Sequence, residues 1–238
     1  MITFNLKIKI RQITKEGNKM RHILQTVDHT MLKAVSTWED IKNLCDEARE
    51  MKVASVCIPP SFVKQASDYL VDDVAVCTVI GFPLGYNTTA IKVAEVKDAI
   101  ANGAKEVDMV INIGDAKQGL FDKIEDEIRQ LKEAAGGIIL KVIIETCYLT
   151  EDEKIALCKA VTNAKADFIK TSTGFGTNGA TLEDIQLMKA NVGPEVAIKA
   201  AGGVRTIEDA EAFIAAGASR LGTSSICQVL KNQEVTGY

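Results

Sequence analysis

Two lysines sit where lysine is costly: Lys170 in Phe168-Ile-Lys-Thr and Lys199 in Val196-Ala-Ile-Lys, each inside a short apolar, strand-like run. Lysine is among the residues least often buried. On adjacent strands, ~4.8 Å apart, the two ammonium groups also repel. Burial and a like-charged neighbour both lower a lysine pKa. At an ordinary value of ~10.4, about one amine in 2,500 is neutral at pH 7; a value of ~7 frees about half, a gain of roughly 10³ that corresponds to about 4.6 kcal/mol. A neutral amine attacks a carbonyl carbon and forms a Schiff base. Asp108, in Glu106-Val-Asp-Met-Val-Ile-Asn, is a carboxylate in an equally apolar run and the natural acid/base partner of the pair. The bland alternative pairs one lysine with a core carboxylate and points the other at a helix. Lys141, in Ile139-Leu-Lys-Val, is expected to be a structural lysine of that kind.

A second constellation suits an anion. Gly202-Gly203 follows the Lys199 run, and Gly222-Thr-Ser-Ser precedes a short apolar helix near Ile226, with Ser224 and Ser225 at its start. Glycines let backbone amides approach a phosphate, and a helix start favours negative charge. Ser224 and Ser225 also suit plain helix caps. Gly174-Phe-Gly-Thr-Asn-Gly179 matches the dinucleotide pattern G-x-G-x-x-G. It follows the sixth strand-like run, and the next strand ends in Lys-Ala-Ala-Gly-Gly with no acid for a ribose, so a phosphate-facing loop explains it better. Cys57 and Cys147 lack a plausible imidazole partner and read as small core residues.

Composition narrows the chemistry further. The 238 residues include two histidines, His22 and His29, which disfavours a histidine-built metal centre, so no metal is expected. The net charge is −4, against a nucleic-acid partner. It is uneven: six basic residues face one acidic residue in positions 1–24, a basic leader expected to be solvated. Lys7 and Lys9 interrupt its apolar stretch, unlike a signal peptide. The longest charge-free run, Val74–Ile91, contains Gly81, Pro83, Gly85 and Asn87, so no membrane span is expected. Six cysteines without a C-x-x-C pair read as reduced thiols of a cytoplasmic protein.

These side chains need a scaffold. Eight β-branched runs, at 25–30, 53–58, 74–81, 106–114, 139–146, 167–174, 195–203 and 220–225, alternate with helical patterns. Thr37, Thr150, Thr181 and Thr206 each precede acidic residues in a first helical turn, as N-caps do. At about 26 residues per unit, eight βα units predict a single-domain TIM (β/α)8 barrel over 25–233, after a leader at 1–24 and before a tail at 234–238. A doubly wound sheet is the runner-up. A barrel gathers its chemistry at the carboxyl ends of the strands. There the runs offer Asp28 and Thr30, Asp108 and Asn112, Glu145 and Thr146, Lys170 to Ser172, Lys199, and Thr223 to Ser225.

Six ordered motifs carry a family resemblance. Val27-Asp-His-Thr, Cys77-Thr-Val-Ile-Gly-Phe-Pro-Leu-Gly, Glu106-Val-Asp-Met-Val-Ile-Asn, Lys141-Val-Ile-Ile-Glu-Thr, Ile169-Lys-Thr-Ser-Thr-Gly-Phe-Gly and Ile198-Lys-Ala-Ala-Gly-Gly-Val-Arg closely resemble the deoxyribose-phosphate aldolase family over about residues 24–226. The resemblance implies a class I aldolase that reversibly cleaves 2-deoxy-D-ribose 5-phosphate to acetaldehyde and D-glyceraldehyde 3-phosphate, in deoxyribose phosphate catabolism. It implies the Schiff base on Lys170, with Lys199 as second lysine and Asp108 as proton shuttle. Substrate and phosphate contacts fall on Asp28, Thr30, Gly174, Gly202, Gly203, Ser224 and Ser225. It implies no cofactor and a homo-oligomer, dimer or tetramer, whose partners are sugar phosphate and aldehydes. The chain departs from the family at Ala201, where serine is common, at Ile226, where glycine is common, and at Cys57-Ile-Pro-Pro. In some relatives a C-terminal tyrosine reaches the site, a place Tyr238 could take. Two rivals stay open: a phosphate-binding isomerase or synthase using Asp108 or Glu145 as base without an imine, and a catalytically silent barrel.

Overall fold

The computed structural model describes residues 17–231; Tyr238 and most of the leader lie outside them. Eight strands, β1 Val27–Thr30, β2 Ser55–Ile58, β3 Ala75–Ile80, β4 Glu106–Val110, β5 Ile139–Ile143, β6 Phe168–Lys170, β7 Ala197–Ala201 and β8 Arg220–Thr223, lie side by side in chain order. All pair in parallel, and β8 pairs with β1, so the sheet is a closed barrel. The expected (β/α)8 architecture is the observed one.

Residues 17–24 form helix α1, which buries Ile23 in the core at 2% exposure while Lys19, Arg21 and His22 stay exposed. The outer layer comprises α2 Trp38–Met51, α3 Val63–Leu70, α4 Thr89–Ala101, α6 Phe121–Ala135, α7 Glu151–Asn163, α8 Leu182–Asn191 and α9 Ile207–Ala216. Short helices α5 Ile113–Lys117 and α10 Ser225–Leu230 follow β4 and β8 directly. Thr37, Thr150, Thr181 and Thr206 are the N-caps of α2, α7, α8 and α9, each side chain accepting from the amide three residues on. Each such cap contributes about 1 kcal/mol. No helix among the described residues is long and apolar enough to cross a membrane.

Alternation along the strands sorts the side chains. Val56, Ile58, Val107, Met109, Leu140, Val142, Ile169, Ile198 and Leu221 join the main apolar core with the helices. The intervening positions face the barrel interior, which is highly charged. β1 and β2 end where their runs do and β3 one residue short, whereas β4 to β8 end two to four residues before theirs. Asn112, expected on β4, instead caps α5, its side chain accepting from the Asp115 amide. Glu145 and Thr146, expected on β5, lie past it, Glu145 in left-handed backbone at φ 53°. At the end of β4, the buried Lys92 of α4 donates to the Val110 carbonyl at 2.9 Å and pairs with Glu127 of α6 at 2.6 Å. That contact holds the mouth end of the strand that carries Asp108.

Candidate active site

Parallel register fixes the interior. Lys170 lies opposite Lys199, Lys199 opposite Arg220, Asp108 opposite Lys141, and Asp28 between Ser55 and Gly222. The two strand lysines therefore stand at equal depth on neighbouring strands. Both reach the same oxygen: Lys170 Nζ is 2.8 Å and Lys199 Nζ 2.7 Å from Asp108 Oδ2. Lys199 also pairs closely with Asp28. Lys141 Nζ is 2.8 Å from Asp108 Oδ1 and 2.6 Å from Glu106 Oε2. Arg220 joins Asp28 at 2.6 Å to Glu106 at 3.0 Å, its guanidinium 5.3 Å above the Phe168 ring centre. Ser55 Oγ donates to Asp28 Oδ1 at 2.7 Å.

Seven charged side chains thus form one interior cluster. Lys141, Lys199 and Arg220 each touch at least two carboxylates, while Lys170 touches, among the described residues, Asp108 alone. Lys141 and Lys199 are sealed at 0% exposure; Lys170 keeps 3%. Burial works against the charge on Lys199, but Asp108 and Asp28 outweigh it and hold its pKa above the usual lysine range. That reverses the expectation for Lys199, because its carboxylate contacts are closer than a sequence reveals. Lys141 is held up in the same way. Burial would raise Asp108, yet the ammonium groups of Lys141, Lys170 and Lys199 hold its carboxyl well below the usual range.

The expected structural role of Lys141 understates its contacts, since it is a direct partner of Asp108. Glu106 and Arg220 were not among the expected site residues. Period two points to them: each lies two positions before an inward residue, Asp108 or Gly222. Asp28 and Thr30 do not line the glycine-rich cavity. Asp28 is part of the ion cluster, and Thr30 Oγ1 donates to the Asp28 carbonyl at 2.8 Å. Cys57 is fully buried and lies opposite Cys77 in the β2–β3 register. Cys77 Sγ is itself 3.2 Å from Asp108 Oδ1. Cys147 lies under Gly176, where an added Cβ would come within 2.9 Å of its sulfur.

Beside the lysines is a cavity of about 250 Å³ lined by Gly174, Gly202, Gly203, Gly222, Ser224 and Ser225, with residues 176–179 along one wall. This brings together all five expected phosphate contacts after β6, β7 and β8. Gly202 and Gly203 take φ of 72° and 85°, a left-handed backbone that favours glycine. A Cβ on Gly179 would stand 2.5 Å from the Gly202 carbonyl carbon, so the loops after β6 and β7 touch backbone to backbone. A Cβ on Gly222 would meet Ala201 Cβ at 3.0 Å and Lys199 Cε at 3.2 Å; Gly222 is the wall shared by cavity and lysines. Ile226 is buried in the core, so α10 is anchored by packing. The Ser224 side chain makes no cap bond, and the Ser225 amide donates instead to Thr223 Oγ1 at 3.0 Å.

Comparison with known proteins places this geometry. The family model described as DeoC/LacD family aldolase matches residues 22–228. A deoxyribose-phosphate aldolase of Clostridioides difficile (strain 630) is 68% identical over 219 residues, 92% of this chain and all of that protein. One from Clostridium botulinum (strain Alaska E43 / Type E3) is 60% identical over 91% of this chain and 98% of its own length. Among solved structures, the tetrameric deoxyribose phosphate aldolase from Aeropyrum pernix superposes with a TM-score of 0.82 at 28% identity, covering 89% of this chain and 92% of that one. The chain belongs to the DeoC/LacD aldolase family, alongside its deoxyribose-phosphate aldolases, and is an aldolase.

Proposed function

We propose that the chain reversibly cleaves 2-deoxy-D-ribose 5-phosphate to acetaldehyde and D-glyceraldehyde 3-phosphate through a Schiff base on Lys170. One observation carries the reading. Three interior carboxylates are matched by Lys141, Lys199 and Arg220, and Lys170 is the fourth cation, sharing a single oxygen with Lys199. Losing the Lys170 proton leaves the cluster balanced, and Lys170 alone of the three lysines keeps any exposure.

In the mechanism, neutral Lys170 Nζ attacks the C1 aldehyde of the open-chain sugar, and loss of water gives an iminium ion. The C3 hydroxyl surrenders its proton, and the C2–C3 bond electrons flow toward the iminium nitrogen. C3 becomes the aldehyde of glyceraldehyde 3-phosphate, and the remaining two carbons an enamine. Protonation at C2 and hydrolysis release acetaldehyde and restore the amine. Asp108, held as a weakly basic carboxylate, orders the proton transfers with Lys199 and water rather than acting as a strong base alone. The glycine cavity takes the phosphate, whose binding energy orients the reacting bond. Asp28 takes part through Lys199.

The ion cluster asks for no metal or organic cofactor in this sequence of steps. A charged sugar phosphate and six thiols, none in a disulfide among the described residues, suit a cytoplasmic catabolic enzyme. A homo-oligomer is part of the proposal, in keeping with the tetrameric relative. Incubation with acetaldehyde and borohydride should leave an ethyl group on Lys170, located by peptide mass spectrometry, alongside turnover of deoxyribose 5-phosphate. An adduct formed undiminished in Lys170→Ala overturns the assignment.

A further inference from the structure

Glu145 is buried at 2% exposure, yet no lysine, arginine or histidine nitrogen among the described residues lies within 4.0 Å of its carboxylate. Its backbone is left-handed, φ 53° and ψ 66°, a conformation that costs a non-glycine residue about 1 kcal/mol or more. A buried carboxylate on strained backbone needs compensation, and its hydrogen bonds all come from one direction, with Lys170 adding a longer-range attraction. The Thr173 amide donates to Glu145 Oε1 at 3.1 Å, and the Thr173 hydroxyl donates to Oε2. Thr173 Oγ1 in turn accepts from the Phe175 amide at 3.0 Å. Gly176 then passes directly over the carboxyl group: a Cβ there would stand 3.1 Å from both Cδ and Oε1. Burial pushes the Glu145 carboxyl up while the Thr173 bonds pull it down.

These contacts run along one short segment. Thr173 is three residues beyond Lys170, and Gly174 with residues 176–179 lines the cavity. At its far end the segment rests on Gly202 and donates from the Ala180 amide to the Ala201 carbonyl at 3.0 Å. The near half is held by Glu145 and by the edge-on contact of Phe175 with the Phe82 ring, their centroids 5.4 Å apart.

We infer that Glu145 is a positioning residue that fixes the 173–179 segment in its anion-binding shape and thereby sets the preference for a phosphorylated over an unphosphorylated sugar. The inference rests on assigning the glycine cavity to the phosphate. Glu145 touches no reacting atom in this role; it acts through Thr173 and the backbone amides beyond it.

The test compares the full chain with Glu145→Gln and Thr173→Val. Turnover is measured on 2-deoxyribose 5-phosphate and on 2-deoxyribose, and inorganic phosphate binding by calorimetry. Glu145→Gln keeps one acceptor but misplaces the other. Loss of one charge-assisted hydrogen bond predicts KM for the phosphorylated sugar and Kd for phosphate to rise about tenfold. The kcat on that sugar and the kcat/KM on 2-deoxyribose stay within about twofold of the unmodified chain, since loop-borne binding is lost and imine chemistry is not. Thr173→Val removes the same bond from the other side and shifts the same constants in the same direction, which keeps the inference testable if Glu145→Gln folds poorly. An equal loss on both sugars, or unchanged phosphate affinity in both variants, overturns it. A chain that turns over neither sugar sinks the aldolase substrate assignment alone, and the phosphate titration still decides the role of Glu145.

Discussion

Neutralising Asp108 gives the sharpest test of the interior cluster. Asp108→Asn leaves four cations facing two carboxylates, in a site where three ammonium nitrogens lie within 2.8 Å of the substituted group. Removing one partner of a buried ion pair costs about 3–5 kcal/mol, because the remaining charge is stranded. Lys141→Met removes the side chain that bridges Asp108 and Glu106 and should also cost about 4 kcal/mol, although Lys170, Lys199 and Arg220 still match the three carboxylates in number. Together the two changes leave three cations, including Lys170, facing two carboxylates, so much of the second penalty disappears. An ion contact at an effective dielectric of ~20 is worth about 4 kcal/mol before geometry is discounted. A coupling energy of about 2–3 kcal/mol, at the upper end for contacting residues, is therefore expected from the double-mutant cycle. The assay is urea unfolding of the two single variants and the double variant at pH 7, followed by far-UV circular dichroism. Strictly additive losses would refute the charge-balance reasoning, and with it the argument that Lys170 is the surplus cation.

Two further outcomes follow from other parts of the molecule. Gly179→Ala places a Cβ against the Gly202 backbone, parting the loops after β6 and β7, so phosphate affinity should fall about tenfold or more while the acetaldehyde–borohydride adduct on Lys170 still forms; unchanged affinity in a phosphate titration contradicts the close packing. Burial pushes the Cys45 thiol up to about 11 and those of Cys158 and Cys227 to about 12, from an ordinary 9.0. A raised pKa means the neutral thiol is favoured by the fold. Its stabilisation is complete below the unfolded value and lost as pH climbs from about 9 toward 11–12. The urea midpoint should fall across that range, and less so in Cys158→Ala than in the parent chain; equal slopes count against the assignment.

Much of the site was legible in the sequence because charge inside β-branched runs is conspicuous. Lys170, Lys199 and Asp108 each interrupt such a run, and regular spacing of eight runs implied the barrel that brings them together. The glycines after β6, β7 and β8 were legible for the same reason, since their spacing repeats at strand ends. Glu106 and Arg220 escaped notice because each begins its strand, where a charge reads as a solvated turn. Only closure shows that they face inward, through pairings such as Lys199 with Arg220. The direction of the Lys199 shift was equally hidden, because its partner Asp28 lies 171 residues away in the chain. Strand ends were overextended because apolar residues continue past the ladder, where the chain turns to place polar groups at the mouth. The load on Glu145 depends on a backbone angle, which no residue pattern encodes.

The interior cluster also constrains how the chain can be assembled. Asp28, on β1, finds its closest cations on β7 and β8, at Lys199 and Arg220. Until those two strands have been made, that carboxylate has, among the described residues, Lys141 alone within ion-pair distance, at 3.5 Å. A nascent barrel of six strands is therefore an electrostatically open vessel: its mouth lysine and floor acids can keep water until the final two strands arrive. Closure and dehydration of the interior become one late event, and a chain ending before β7 lacks Lys199 and Arg220, the two cations that lie closest to Asp28.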